Sequence, residues 1–97
     1  MSRYYSVRVE CVGKITEQKL RNVMENKLGW SEDADTWVRE TSITFSGKGN
    51  LYGGEGEEEA HARIVKLIKE IDPQMKIQTT WTYLEDLPTN TYGDDLD

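Results

Sequence analysis

The chain has 97 residues, a formal net charge of −6 and 36% hydrophobic residues, enough for one small core. No apolar run approaches the roughly 18 residues of a transmembrane helix, and the first residues read as a strand rather than a signal peptide. The chain has one cysteine, Cys11, and one histidine, His61, which argues against a Cys- or His-rich metal centre. A single cysteine also suits a reducing compartment. We therefore expect one cytoplasmic domain without a metal or cofactor.

The first third of the chain predicts a strand followed by a helix. Apolar and polar residues alternate over residues 3–12, the period of a strand with one buried face. Thr16 is a good N-cap, and Gly29 is the residue type that commonly follows the end of a helix. Between them, apolar side chains recur on one helical face, which predicts a helix over residues 17–28.

The middle of the chain predicts an acidic loop and then a hairpin. Residues 31–36 are polar and acidic, whereas residues 37–46 are rich in the β-branched and aromatic residues that favour strands. The Gly-Lys-Gly sequence at residues 47–49 is typical of a turn. Residues 50–53 are therefore expected to return as a short strand.

The last third predicts a helix, a strand and a tail. The three glutamates at residues 57–59 favour a helix N-terminus, and Pro73 stops that helix. Residues 75–84 alternate again and are predicted to form the final strand. Residues 88–97 carry little apolar surface, so we expect a flexible acidic C-terminal tail attached to a single domain of residues 1–87.

This order of elements predicts an α+β fold. The ferredoxin-like βαββαβ sandwich has the same order, with two helices on one face of a four-stranded antiparallel sheet of strand order 4-1-3-2. That topology gathers three segments at one end of the sheet: the loop before strand 2, the segment after strand 3 and the chain after strand 4. Twelve of the eighteen acids lie in these segments.

We interpret the acids of the first two segments as a binding edge for a basic protein partner. Gathering like charges costs stability, and solubility alone would be served as well by dispersed acids. The alternative is a solvated face without a partner. Neither a membrane nor direct contact with nucleic acid is expected, since phosphate contacts need Lys and Arg. The predicted partner-binding residues are Glu32, Asp33, Asp35, Glu55, Glu57, Glu58 and Glu59.

Residues that could carry chemistry have simpler interpretations. Glu57 and His61 stand four residues apart and could share a metal ion, but one histidine with carboxylates is a weak metal signal. A solvent-facing His61 is the interpretation we favour. Cys11 falls on the buried side of the first strand, where an inert thiol is expected. No catalytic residue and no metal ligand is predicted.

Two segments resemble the acylphosphatases: Trp-Val-Arg-Glu-Thr at residues 37–41 and Glu-Gly-Glu-Glu-Glu-Ala at residues 55–60. The resemblance implies a ferredoxin-like fold and hydrolysis of acyl phosphates. The family's glycine-rich loop with its catalytic arginine would fall near residues 13–21, where the glycines and the loop arginine are not matched. Its catalytic asparagine position holds Glu40, which repels phosphate and cannot donate the required hydrogen bond. The resemblance supports the fold and argues against the activity.

The sequence therefore predicts a small binding or regulatory module without catalysis. One alternative is a diverged acylphosphatase-like hydrolase, which Glu40 argues against. Another is a self-associating structural domain that uses its open sheet face or an edge strand. A homo-oligomer is compatible with the binding module as well as with the self-associating domain.

Overall fold

The computed structural model describes residues 2–52, 54–85 and 88–96. These residues form five strands and two α-helices, the first of which continues as a π-helix. The strands are β1 (Ser2–Val12), β2 (Glu32–Val38), β3 (Ser42–Tyr52), β4 (Lys76–Tyr83) and β5 (Thr89–Gly93). The helices are α1 (Glu17–Arg21), extended by the π-helix Asn22–Lys27, and α2 (Glu57–Ile71).

The strands form one antiparallel sheet in the order β2-β3-β1-β4-β5. The α+β class is confirmed, but the expected count of four strands is wrong. Thr89–Gly93, which we placed in a flexible tail, pair with β4 and extend the expected order 4-1-3-2 by a fifth strand. None of the helices in the described part of the chain is long and apolar enough to cross a membrane.

The β2–β3 hairpin turns at residues 39–41, not at the glycines of residues 47–49. Residues 32–36, expected in a loop, form the first part of β2 instead. Gly47 and Gly49 lie inside β3, where Trp30 crosses close to the backbone. A Cβ atom on Gly47 would stand 2.6 Å from the carbonyl oxygen of Trp30, and one on Gly49 would stand 2.8 Å from its ring. These glycines therefore make room for Trp30 rather than form a turn.

The first helix begins at Glu17 as predicted and ends at Lys27, one residue before the predicted end. The hydroxyl of Thr16 accepts the backbone N–H of Lys19 at 3.2 Å, and Gly29 follows the helix with a φ of +79°. Only its first part, α1, is a regular α-helix, however. In the π-helix, hydrogen bonds join residues five apart, as the N–H of Leu28 shows by donating to the carbonyl oxygen of Val23 at 3.1 Å.

The core lies between the helices and one face of the sheet. The predicted inward residues of β1 are buried, and Trp81 of β4 packs edge-to-face on Trp30 with ring centroids 5.3 Å apart. On α2 the buried residues are Ala60, Ile64 and Ile68, while Leu67 is only partly buried. The apolar stripe of α2 is therefore centred on Ile64 and Ile68, with Leu67 at its flank.

Because α2 turns Ile68 fully into the core and Leu67 only partly, truncating these two neighbours should cost unequal amounts of folding free energy. Ile68→Ala should lower the free energy of unfolding by about 2–5 kcal/mol, because the fully buried side chain would leave a cavity. Leu67→Ala should cost clearly less, because solvent can fill part of the vacated space. Urea unfolding of both variants measures the difference, and equal losses would mean that the helix is rotated from the position described.

Candidate functional site

The structure divides the seven acids predicted to form one binding edge into two groups. Glu32, Asp33 and Asp35 lie on β2, which is an outermost strand of the sheet. The other four lie at or just before the N-terminus of α2, where Glu57 contacts β1 and β5 on the far side of β3. We call Glu32, Asp33 and Asp35 the β2 acids and Glu55, Glu57, Glu58 and Glu59 the α2 acids.

The acids that follow β4 do not all join these groups. The carboxylate of Asp94 accepts the backbone N–H of Ile77 at 2.9 Å, close to the start of β4 and therefore at the opposite end of the sheet. The return of the chain through β5 carries Asp94 there, so the expectation that this residue joins the acidic end is wrong. Asp86 and Asp97 lie outside the described residues.

Most of the α2 acids make contacts within the molecule, and Glu57 makes the most extensive ones. The carboxylate of Glu57 accepts the hydroxyl of Tyr5 at 2.8 Å, the hydroxyl of Tyr92 at 3.0 Å and the amide of Asn90 at 3.1 Å. Burial, together with the hydrogen bond to Glu57, raises the pKa of Tyr5 to about 12. Glu57 thereby joins α2 to β1 and β5.

Glu55 is also engaged, because its carboxylate pairs with Arg63 and its backbone carbonyl accepts the guanidinium of Arg3. The side chain of Glu59 accepts the N–H of Gly56 at 3.4 Å and so caps α2, which leaves Glu58 as an exposed acid of this group. The α2 acids therefore contribute mainly to the fold.

His61 is partly buried and bonded, rather than facing solvent as we expected. Its Nδ1 atom lies 2.7 Å from the hydroxyl oxygen of Thr79, which also accepts the indole N–H of Trp81 at 2.8 Å. Because Thr79 is fully buried, its hydroxyl proton is best satisfied by donation to His61. A hydroxyl proton donated to Nδ1 favours the neutral imidazole, and burial lowers the pKa of His61 against the opposing charge of Asp94.

The lowered pKa of His61 predicts a loss of stability in mild acid. The unfolded chain binds a proton near the ordinary histidine pKa of about 6.5, before the folded chain does. The contribution of His61 to stability is therefore complete above about pH 6.5 and declines as the pH falls below it. Urea unfolding at pH 7.5 and 5.5 should show this decline, and His61→Gln, which cannot titrate, should flatten it. An unchanged pH dependence in the variant would contradict the prediction.

Other reactive groups do not come together. Cys11 is buried, and burial raises the pKa of its thiol to about 12, so the thiol stays protonated near neutral pH. Arg21 lies in α1, and Glu40 lies in the exposed turn between β2 and β3. Within residues 2–52, 54–85 and 88–96, no three His, Cys, Asp or Glu side chains are placed to hold a metal ion.

A groove of about 560 Å³ runs between α1, the π-helix and β2. Its lining is polar and combines two carboxylates, one guanidinium, three amides and one hydroxyl. The lining residues are Glu17, Gln18, Arg21, Asn22, Glu25, Asn26 and Thr36.

Irregular backbone forms part of one wall of this groove and lies next to the other wall. In the π-helix, Val23 and Met24 are buried while Asn22 and Asn26 are exposed and bonded to each other at 2.9 Å. In β2, a bulge interrupts the pairing with β3 between Glu32 and Asp35, and Asp33 has a φ of 52°, which is uncommon for a residue other than glycine. Both π-helices and strand bulges are frequent at functional sites.

The electrostatics of the groove favour a cation. Arg21 is the only cation among the described residues that line it, and its Nε lies 2.6 Å from Oε2 of Glu25. This hydrogen bond raises the pKa of Arg21, and the charges of Asp35 and Glu17 add to the effect. Since Glu25 neutralises Arg21, the charges of Glu17 and Asp35 remain to attract a ligand.

The outer edge of β2 presents backbone groups beside the groove. The N–H of Arg39 donates to the carbonyl oxygen of Ser42 at 2.9 Å, so by the alternation of antiparallel ladders Thr36 and Val38 turn their backbone groups away from β3. The carboxylate of Asp35 accepts the N–H of Thr36 at 2.9 Å. Val38 is 58% exposed and supplies an apolar surface at the end of this edge.

Sequence reasoning missed the groove as a site. The available signal was the polar face of the first helix, where Glu17, Arg21 and Glu25 follow one another at intervals of four residues. The opposite wall had no such signal, because Thr36 fell in a segment expected to be a loop. A hydrogen bond of 2.8 Å from the hydroxyl of Thr36 to Glu17 joins the two walls.

Compared with known proteins, the chain matches no protein-family model, no curated protein and no solved structure. Function must therefore be argued from the chemistry of the site itself.

Proposed function

We propose that this chain is a binding module and that the groove beside β2 receives a basic segment of a partner protein. The observation that carries the proposal is the charge of the groove: its one guanidinium is already paired with Glu25, while Glu17 and the adjacent Asp35 are not matched by a second cation in the lining. A Lys or Arg side chain of the partner supplies the missing charge.

The β2 acids extend this attraction along the edge. The side chain of Asp33 is 69% exposed, and its carboxylate lies 3.1 Å from Nζ of Lys48. An exposed pair of this kind contributes roughly 0–1 kcal/mol, so a cation of the partner can replace Lys48 at little cost. The carboxylate of Glu32 accepts the hydroxyl of Tyr4 of β1, so it is drawn toward the sheet rather than held at the outer edge, and this bond raises the pKa of Tyr4 to about 12.

The remaining features of the groove suit a polypeptide rather than a small ion. Amide side chains both donate and accept hydrogen bonds, so Gln18, Asn22 and Asn26 can bond to the backbone of an extended segment. Val38 offers an apolar contact at the end of the edge. Association driven by such charges is steered at long range and weakens with salt.

In this proposal the α2 acids take a smaller part than the sequence indicated. Glu57 and Glu55 stabilise the fold, and Glu58 adds to the negative field. Cys11 and His61 are both outside the groove lining, which favours binding over catalysis. We further propose a ferredoxin-like arrangement with β5 as an addition, acting in the reducing cytoplasm, where a free thiol such as that of Cys11 is stable.

Removing one charge from the groove lining and one directly beside it, without changing the shape of the groove, tests the proposal. An oligolysine peptide serves as the probe, because it carries the proposed charge without a fold of its own. The double variant Glu17→Gln, Asp35→Asn keeps the oxygens that accept from Thr36. It should weaken binding by about 2- to 30-fold, since two exposed ion pairs contribute roughly 0.2–1 kcal/mol each.

The matched control removes the same charge elsewhere. Glu40 and Glu70 are exposed, one in the β2–β3 turn and one near the end of α2, and Glu40→Gln, Glu70→Gln should bind the peptide nearly as the wild type does. Titration calorimetry at low salt and at about 0.3 M salt measures both affinities and their salt dependence. Equal weakening in both double variants would show that net charge, and not the groove, attracts the peptide.

A further inference from the structure

The outer edge of β5 carries a row of backbone groups that no strand among the described residues pairs. Tyr83 donates its N–H to the carbonyl oxygen of Pro88 at 3.1 Å, and Asp94 donates its N–H to the carbonyl oxygen of Ile77 at 2.9 Å. Because hydrogen-bonded pairs alternate along an antiparallel ladder, Asn90 and Tyr92 also bond inward to β4. The N–H and C=O groups of the three residues between them point outward, and these residues are Thr89, Thr91 and Gly93.

The two outermost strands of the described sheet differ in how they discourage pairing. The edge of β2 carries three acids, a bulge and an aspartate in the left-handed region, all of which oppose the addition of another strand. The sequence of β5 is Thr-Asn-Thr-Tyr-Gly, with no charge, and its register with β4 is unbroken; the positive φ of 100° in this strand falls on its last residue, Gly93, where a glycine adopts it without strain. Because proteins protect edge strands with charges and bulges, and β5 has neither, β5 is the less protected of the two edge strands.

The conformation of β5 is held from within the molecule. The hydroxyl of Tyr92 and the amide of Asn90 both donate to Glu57 of α2. On the open face, the hydroxyl of Thr91 lies 3.4 Å from that of Thr80, and the hydroxyl of Thr89 lies 3.2 Å from that of Thr82. An incoming strand therefore meets an edge that is already extended, and little ordering is needed on binding.

We propose that a second copy of this chain pairs with β5 through its own β5. The two strands would run antiparallel about a two-fold axis at Thr91, and the two five-stranded sheets would join as one ten-stranded sheet. Thr91 faces its counterpart, and Thr89 of each copy faces Gly93 of the other. Every outward N–H then meets an outward C=O of the other copy.

Charge selects a second copy of β5 as the occupant. Self-pairing of β5 sets no like charges opposite one another over residues 88–94, because residues 89–93 are neutral and the antiparallel register places Asp94 of each copy opposite Pro88 of the other. Pairing β2 with its own copy would instead bring Glu32, Asp33 and Asp35 close to the same acids of the second chain. That repulsion disfavours the other edge as a self-association site.

The first experiment measures the mass of the full chain by sedimentation equilibrium up to about 0.5 mM. The wild type should show a concentration-dependent rise toward twice its monomer mass. Thr91→Pro removes an N–H that faces outward, so the ladder with β4 is kept while the contact between copies is lost, and this variant should stay monomeric. Thr91→Val is the matched control, because it keeps the N–H and a β-branched side chain, and it should dimerise as the wild type does.

The second experiment does not depend on the folding of the proline variant. In the proposed register the Cα atoms of Thr91 and its counterpart stand about 5.5 Å apart, within reach of a disulfide. Thr91→Cys should therefore cross-link two chains under mild oxidation. Thr80→Cys, opposite Thr91 on the same face, should not, because three strand spacings of roughly 4.8 Å separate it from its counterpart. Cys11 is buried and adds no background.

Three outcomes would overturn the proposal. The first is a wild-type chain that stays monomeric over the whole concentration range. The second is a dimer that Thr91→Pro leaves intact in a folded chain, since that dimer must use another surface. The third is cross-linking of the Thr80→Cys chain as fast as that of the Thr91→Cys chain.

Discussion

The carboxylate of Glu57 is the contact on which the arrangement of this molecule depends. It accepts hydrogen bonds from Tyr5 of β1 and from Asn90 and Tyr92 of β5, so one side chain joins the N-terminus of α2 to the centre and to one margin of the sheet. A carboxylate only accepts, and three donors converge on it without leaving a buried polar group unpaired. This contact reinforces the ladder that joins β5 to β4, and the register of that ladder determines which backbone groups of β5 face outward.

Much of the fold could be predicted, because its signals are local. The alternation of β1, the cap at Thr16 and the acidic start of α2 depend only on near neighbours in the chain. Features that depend on distant contacts could not. Gly47 and Gly49 resemble turn residues until Trp30 is seen against them, and β5 has no apolar pattern because its partners are hydroxyls and Glu57. The groove was missed for the same reason, since its two walls come from separate segments.

The topology shows that the acidic residues have different roles in different parts of the fold. The chain looks like a molecule with one acidic end, yet its acids serve three purposes: Glu57 and Glu55 hold elements together, Asp94 closes the start of β4, and the β2 acids with Glu17 face solvent at one margin. The two margins of the sheet are therefore chemically unlike: one is charged and interrupted by a bulge, and the other is neutral and in unbroken register with its neighbour. If two copies join at their neutral margins, the charged margins lie at the two far ends, where a partner with two basic segments could gain avidity.

The π-helix constrains how this chain can change in length. A π turn holds one residue more than an α turn, so deleting any residue between Asn22 and Lys27 would restore regular helical geometry. Because the residue removed is the one that the π turn holds in excess, the residues after the turn would keep their places around the helix axis. Trp30, whose position against Gly47 and Gly49 sets the packing of β3, would then stay where it is. Sequences that share this fold should therefore tolerate the loss of one residue between Asn22 and Lys27, whereas the loss of one residue from the regular turn Glu17–Arg21 would rotate every later side chain by about 100°.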